Sequence, residues 1–259
     1  MNKKLTITQT CRLALVAAAI LAAAQTQAQS IIWSSQTEAY GGSTFMTLAA
    51  GSSDLANFSI GNSSSVTYGG ETWAPGYTTG GIDDTGVYNY AGPNGFQINY
   101  STPGVAWAGR YNGYDTIGSN PLLTQGCYYD TTASPRIQLT GFTAGLEYQV
   151  QFVVCDTRTL ADGRTITIQP VNAADTTLLG GNSPAVQYGF NTGNGDGSFE
   201  VVTADFIAGA TSYSFRSTVG NGESQLNAVR ITTVPEPSSL ALCGGGLVLL
   251  GAFRRRLAR

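Results

Sequence analysis

From Leu146 to Cys155 the side chains alternate, with Tyr148, Val150, Phe152 and Val154 on one parity and Glu147, Gln149, Gln151 and Val153 on the other. A period of two predicts a β-strand with one apolar face. Before it, Arg136 to Thr140 has the residue types of a strand and Phe142-Thr143-Ala144-Gly145 those of a turn. The spacing therefore predicts an antiparallel hairpin over Arg136 to Cys155. Further strands are expected over Thr165 to Val171, Ser198 to Phe206, Thr211 to Val219 and Leu226 to Thr232, separated by stretches such as Gly193-Asn194-Gly195-Asp196-Gly197.

The first half is harder to read. Ile31 to Trp33, Phe45 to Leu48, Ser65 to Tyr68, Gly86 to Tyr90 and Phe96 to Tyr100 are strand-like islands among Gly- and Ser-rich loops. The central part shows no amphipathic helix and no repeat of fixed period. Short strands at this spacing predict an all-β fold, a single antiparallel β-sandwich of jelly-roll type spanning residues 29–233. A division into two smaller domains near Ser134 is the alternative.

Both ends depart from this pattern. Residues 1–28 carry Lys3, Lys4 and Arg12, then the apolar run Leu13 to Ala24, then Thr26-Gln27-Ala28. That order is a secretory signal peptide, cut after Ala28. Twelve apolar residues in a helix cover about 18 Å, too little for a hydrocarbon core of roughly 30 Å.

Residues 234–259 begin Val234-Pro235-Glu236-Pro237, continue through the apolar, Gly-rich Leu240 to Phe253, and reach Arg254-Arg255-Arg256. Pro235 and Pro237 fix φ and withhold backbone donors, which keeps the tripeptide extended. The arginines are held on the cytoplasmic side during export while the apolar segment, expected as a short helix, stalls in the bilayer. This order closely resembles the PEP-CTERM sorting signal of Gram-negative bacteria, on the strength of Pro235, Glu236, Pro237, the apolar run, and Arg254, Arg255 and Arg256. The resemblance implies transient membrane anchoring, processing by an exosortase-like enzyme after passage through the export machinery and signal peptidase, and a cell-surface or extracellular destination associated with exopolysaccharide and biofilm. More loosely, Leu139 to Tyr148 and Leu226 to Ile231 resemble galactose-binding-like jelly rolls, which implies a fold and no ligand.

Charge narrows the function classes. Between Gln29 and Val234 there is no lysine, and six arginines face fifteen Asp and Glu, a net charge of −9. Nucleic-acid binding needs clustered positive charge, so it is not expected. The chain has no histidine, which removes Ser-His-Asp and Cys-His machinery and histidine-ligated metal sites. A glycosidase needs only two carboxylates, and Glu71, Asp83, Asp84, Asp156 and Glu200 are available, but none stands in a recognisable catalytic setting. The expectation is a non-enzyme with no catalytic residue.

Three binding features remain. Trp73 and Tyr77 flank a Pro-Gly turn, and Trp107, Tyr111 and Tyr114 sit among Gly, Arg110 and Asp115; such rings either form a platform for sugar faces or cover the core under long loops. Asp83, Asp84, Asn194 and Asp196 are oxygen donors of the kind structural calcium uses, with a plain turn as the alternative. Cys127 and Cys155 could form a disulfide closing a loop of about 28 residues, worth about 3 to 4 kcal/mol, or stay as buried thiols.

Overall fold

The computed structural model describes residues 30–39, 42–60, 62, 64–76, 88–101, 122, 128–130, 136–155, 164–171, 181–188, 198–221 and 224–234. In the first half lie β1 (Ile32–Ala39), a 3-10 turn (Thr44–Met46), β2 (Asp54–Ser59), β3 (Val66–Tyr68), β4 (Glu71–Pro75), β5 (Tyr88–Ala91) and β6 (Gln97–Ser101). They are followed by β7 (Tyr128–Asp130), β8 (Arg136–Thr140), β9 (Glu147–Val154), β10 (Arg164–Val171), β11 (Val186–Tyr188), β12 (Ser198–Ile207), β13 (Ser212–Asn221), β14 (Ser224–Leu226) and β15 (Ala228–Thr233).

A seven-stranded sheet has the order β1-β12-β9-β15-β2-β4-β3, and a six-stranded sheet the order β11-β10-β13-β8-β6-β5; β14 pairs with β7. Pairing is antiparallel except for a short parallel contact, Phe58 to Ala74 and Ser59 to Pro75, between β2 and β4. Both main sheets draw strands from either side of Ser134. From β8 onward the chain alternates between sheets: β8, β10 and β13 lie in one, β9, β12 and β15 in the other. This is the jelly-roll-like crossing expected of the sandwich.

The alternation itself explains why Arg136 to Cys155 is not a hairpin. β8 pairs with β6 and β13, whereas β9 pairs with β12 and β15 in the opposite sheet. Between them the Gly141 and Phe142 amides donate to Thr211 O at 3.1 and 3.3 Å, and Phe142 drops into the core. Its ring lies 5.4 Å from Phe96, 5.0 Å from Tyr148, 5.7 Å from Phe206 and 5.3 Å from Tyr213. Gly141 has φ +107°, and a Cβ there would stand 2.9 Å from Phe96 Cα. Glycine is required for that crossing.

Two apolar clusters flank the seven-stranded sheet. The inner one, between the sheets, holds Phe58, Val150, Phe152, Val202, Phe206 and Ile231 against Ile98, Leu139, Ile168 and Phe215. The outer one holds Phe45, Met46, Trp73, Val153, Cys155, Phe199, Val201 and Ala228. Val153 and Cys155, on the polar parity of β9, are apolar because this second cluster covers them.

Phe45, expected in a strand, is in the 3-10 turn instead. Its amide donates to Glu38 Oε1 at 2.8 Å, and Thr44 Oγ1 donates to the same oxygen. Its carbonyl accepts from Arg230 Nη1 at 3.0 Å and Gln151 Nε2 at 3.3 Å. Side chains satisfy the backbone groups that a strand would have paired. Among the described residues no helix is long and apolar enough to cross a membrane; Leu13 to Ala24 and Leu240 to Phe253 lie outside them.

Candidate functional site

The last strand delivers the tail. β15 is central in its sheet, paired with β9 on one side and β2 on the other. At its end the Thr233 amide donates to Ser53 O at 2.9 Å, while the Ser53 amide donates to Thr233 Oγ1 at 2.9 Å. The Val234 amide then donates to Glu147 O at 3.1 Å. Pro235 has no N–H to continue the ladder, so the sheet stops there for a covalent reason. In sequence only Val234 separates the last residue of β15 from Pro235.

An ion pair locks β15 from the outer face. Arg230 is 1% exposed and donates through Nη2 to Asp54 Oδ2 at 3.0 Å, with Nε 3.3 Å from both carboxylate oxygens. Asn57 Nδ2 donates to Asp54 Oδ2 at 3.1 Å. With the Phe45 carbonyl also bound, one guanidinium ties β15, β2 and the 3-10 turn together. In the sequence the only sign of this group is an isolated Arg in an apolar strand-like run.

Two carboxyls in this sheet are pushed above their ordinary range. Burial raises Glu200, offset in part by the Thr37 hydroxyl that donates to Oε1 at 2.6 Å. Burial likewise raises Asp205, offset in part by Gln149 Nε2 at 3.0 Å. Five positions apart on one strand, the two point to opposite faces about 17 Å from each other. A glycosidic pair needs a separation of roughly 5 to 9.5 Å, so these two cannot act together.

Of the expected sugar platform, Trp73 requires correction. It is 0% exposed in the outer cluster, its ring 6.4 Å from Phe45 and its Nε1 donating to Tyr68 O at 3.2 Å. An indole whose whole surface is packed presents no face to a sugar. Tyr77, Trp107, Tyr111 and Tyr114 lie outside the described residues, as do Asp83, Asp84, Asn194 and Asp196. Cys155 is buried with its Sγ 3.9 Å from Ser198 O, and Cys127 lies outside the described residues. Among the described residues no group of three or more His, Cys, Asp or Glu is placed to hold a metal ion.

The family model of the PEP-CTERM protein-sorting motif matches residues 233–256. The chain carries a PEP-CTERM tail. The match begins at Thr233, inside β15, and takes in Pro235, Glu236, Pro237, Arg254, Arg255 and Arg256. A PEP-CTERM tail implies export, membrane-anchored transit and processing by an exosortase-like membrane enzyme.

No curated protein matches the chain in sequence. Among solved structures, the chain is similar to a Bacteroides uniformis β-glucuronidase at 12% identity and a TM-score of 0.41, over 70% of this chain and 18% of that one. It thus spans less than a fifth of that enzyme's length. It is also similar to the K2 cleaved adhesin domain of Lys-gingipain at 15% identity and a TM-score of 0.26, over 78% of this chain and 98% of that one. Neither likeness says what this chain binds or does.

Proposed function

We propose that the chain is an exported surface or extracellular-matrix protein with a structural or adhesive role, a single non-catalytic sandwich domain addressed by its two ends. The junction supports this reading. The sorting motif begins inside the central strand of a sheet, so a cut in the tail releases the folded domain from whatever the tail is held in. The link to exopolysaccharide and biofilm comes from the kind of tail alone. Within this reading, contact with polysaccharide falls to Tyr77, Trp107, Tyr111 and Tyr114, since Trp73 belongs to the core.

The test compares the full chain with one truncated after Val234 in a host that has an exosortase. Surface proteolysis of intact cells and assay of the matrix fraction should find the product of the full chain outside and the truncated chain retained in the periplasm. Equal distribution of the two would remove the tail from the account.

A further inference from the structure

Three large hydrophobic side chains are exposed among the described residues: Ile32 at 67%, Leu146 at 39% and Ile207 at 57%. The strand register places all three at one end of the seven-stranded sheet. Ile207 stands opposite Glu147, the residue after Leu146, and the Ala208 amide donates to Leu146 O at 2.8 Å. Ile32 stands opposite Asp205, two positions before Ile207 and therefore on the same face of the sheet.

The chain enters and leaves at this same end. β1 begins at Ile32, four residues after the expected signal-peptide cut at Ala28. At the other terminus Val234 is bonded to Glu147, which faces Ile207. From Val234 to Leu240 is six residue steps, at most about 20 Å of extended chain. The ten residues of β12 alone span about 30 Å. This tether is shorter than the sheet is long, so with Leu240 in a bilayer the end from which the tail departs lies within about 20 Å of it.

We propose that this end is the membrane-facing end of the domain, and that Ile32, Leu146 and Ile207 rest in the headgroup region of a phospholipid bilayer while the tail is inserted. The proposal rests on the reading of Leu240 to Phe253 as a membrane-inserted segment. Three aliphatic side chains are a weak anchor alone, and the tether supplies the proximity that makes the contact persistent. Glu147 and Asp205 share this end, and the domain from Gln29 to Val234 carries a net charge of −9. The surface therefore fits zwitterionic lipid through apolar contact, without the basic attraction that anionic lipid requires.

The test uses the full chain in phosphatidylcholine nanodiscs doped with a diazirine-bearing phosphatidylcholine, irradiated and mapped by peptide mass spectrometry. The expected result is lipid adducts on 240–253 and on peptides carrying Ile32, Leu146 and Ile207, several-fold above those at the opposite end of the sheet near Glu38 and Ser198. Replacing Ile32→Ser and Ile207→Ser together should lower the adducts at this end several-fold and leave those on 240–253 unchanged. Adducts on 240–253 with no excess at this end would overturn the proposal and leave tail insertion standing. No adducts on 240–253 would overturn both.

Discussion

Arg230, fully buried, and Asp54, 14% exposed, form an ion pair 176 residues apart in sequence, Nη2 to Oδ2 at 3.0 Å, on adjacent strands of the sheet that carries the sorting tail. Removing one partner leaves the other largely buried and uncompensated, which costs more than the pair contributes. Arg230→Ala should therefore destabilise the domain by about 3 to 5 kcal/mol in urea unfolding. Arg230→Met combined with Asp54→Leu should cost much less than the two single changes added together, because neither charge is then stranded.

The crossing from β8 to β9 depends on one glycine and one ring. Gly141→Ala must accept φ +107° and a 2.9 Å approach to Phe96 Cα, so a loss of at least about 1 kcal/mol is expected. Phe142→Ala empties the centre of the aromatic cluster and should cost about 3 to 5 kcal/mol. Equilibrium unfolding monitored by circular dichroism measures both.

These positions also mark where the sequence was legible. The parity of Leu146 to Cys155 predicted β9 because a period of two survives whatever the strand pairs with. It could not name the partner: Phe142-Thr143-Ala144-Gly145 looks the same whether it returns the chain to its own sheet or sends it across the core. The pattern puts Phe45 in a strand and leaves Trp73 open between a sugar platform and the core. Both pack on the outer face of the seven-stranded sheet, and a second cluster there is invisible to a reading that assigns each strand one apolar side. β2 was missed because Asp54 and Asn57 look like loop residues until Arg230, far along the chain, supplies their charge and hydrogen-bonding partner. The tail was legible because its signal is local, three consecutive segments in a fixed order.

Glu200 and Asp205 set a pH dependence. Their folded pKa values lie above the ordinary 4.5 and 3.8, so their neutral forms are favoured in the fold. That stabilisation is fully present below the ordinary values and is lost as pH rises through the raised ones. Glu200→Gln and Asp205→Asn should each raise the melting midpoint at pH 7 by roughly 1 to 2 °C, after allowance for solvent screening of half-buried groups, with the gain shrinking toward pH 4. Calorimetry at a series of pH values checks the sign.

If the tail beginning at the end of β15 is a processed sorting signal, Glu236 is the residue whose loss should block its processing. Intact-mass analysis of the Glu236→Ala chain from the membrane fraction of an exosortase-bearing host tests it most directly. A precursor that retains residues 238–259 is expected, beside a wild-type product that has lost its tail; normal tail removal in the Glu236→Ala chain would overturn the assignment.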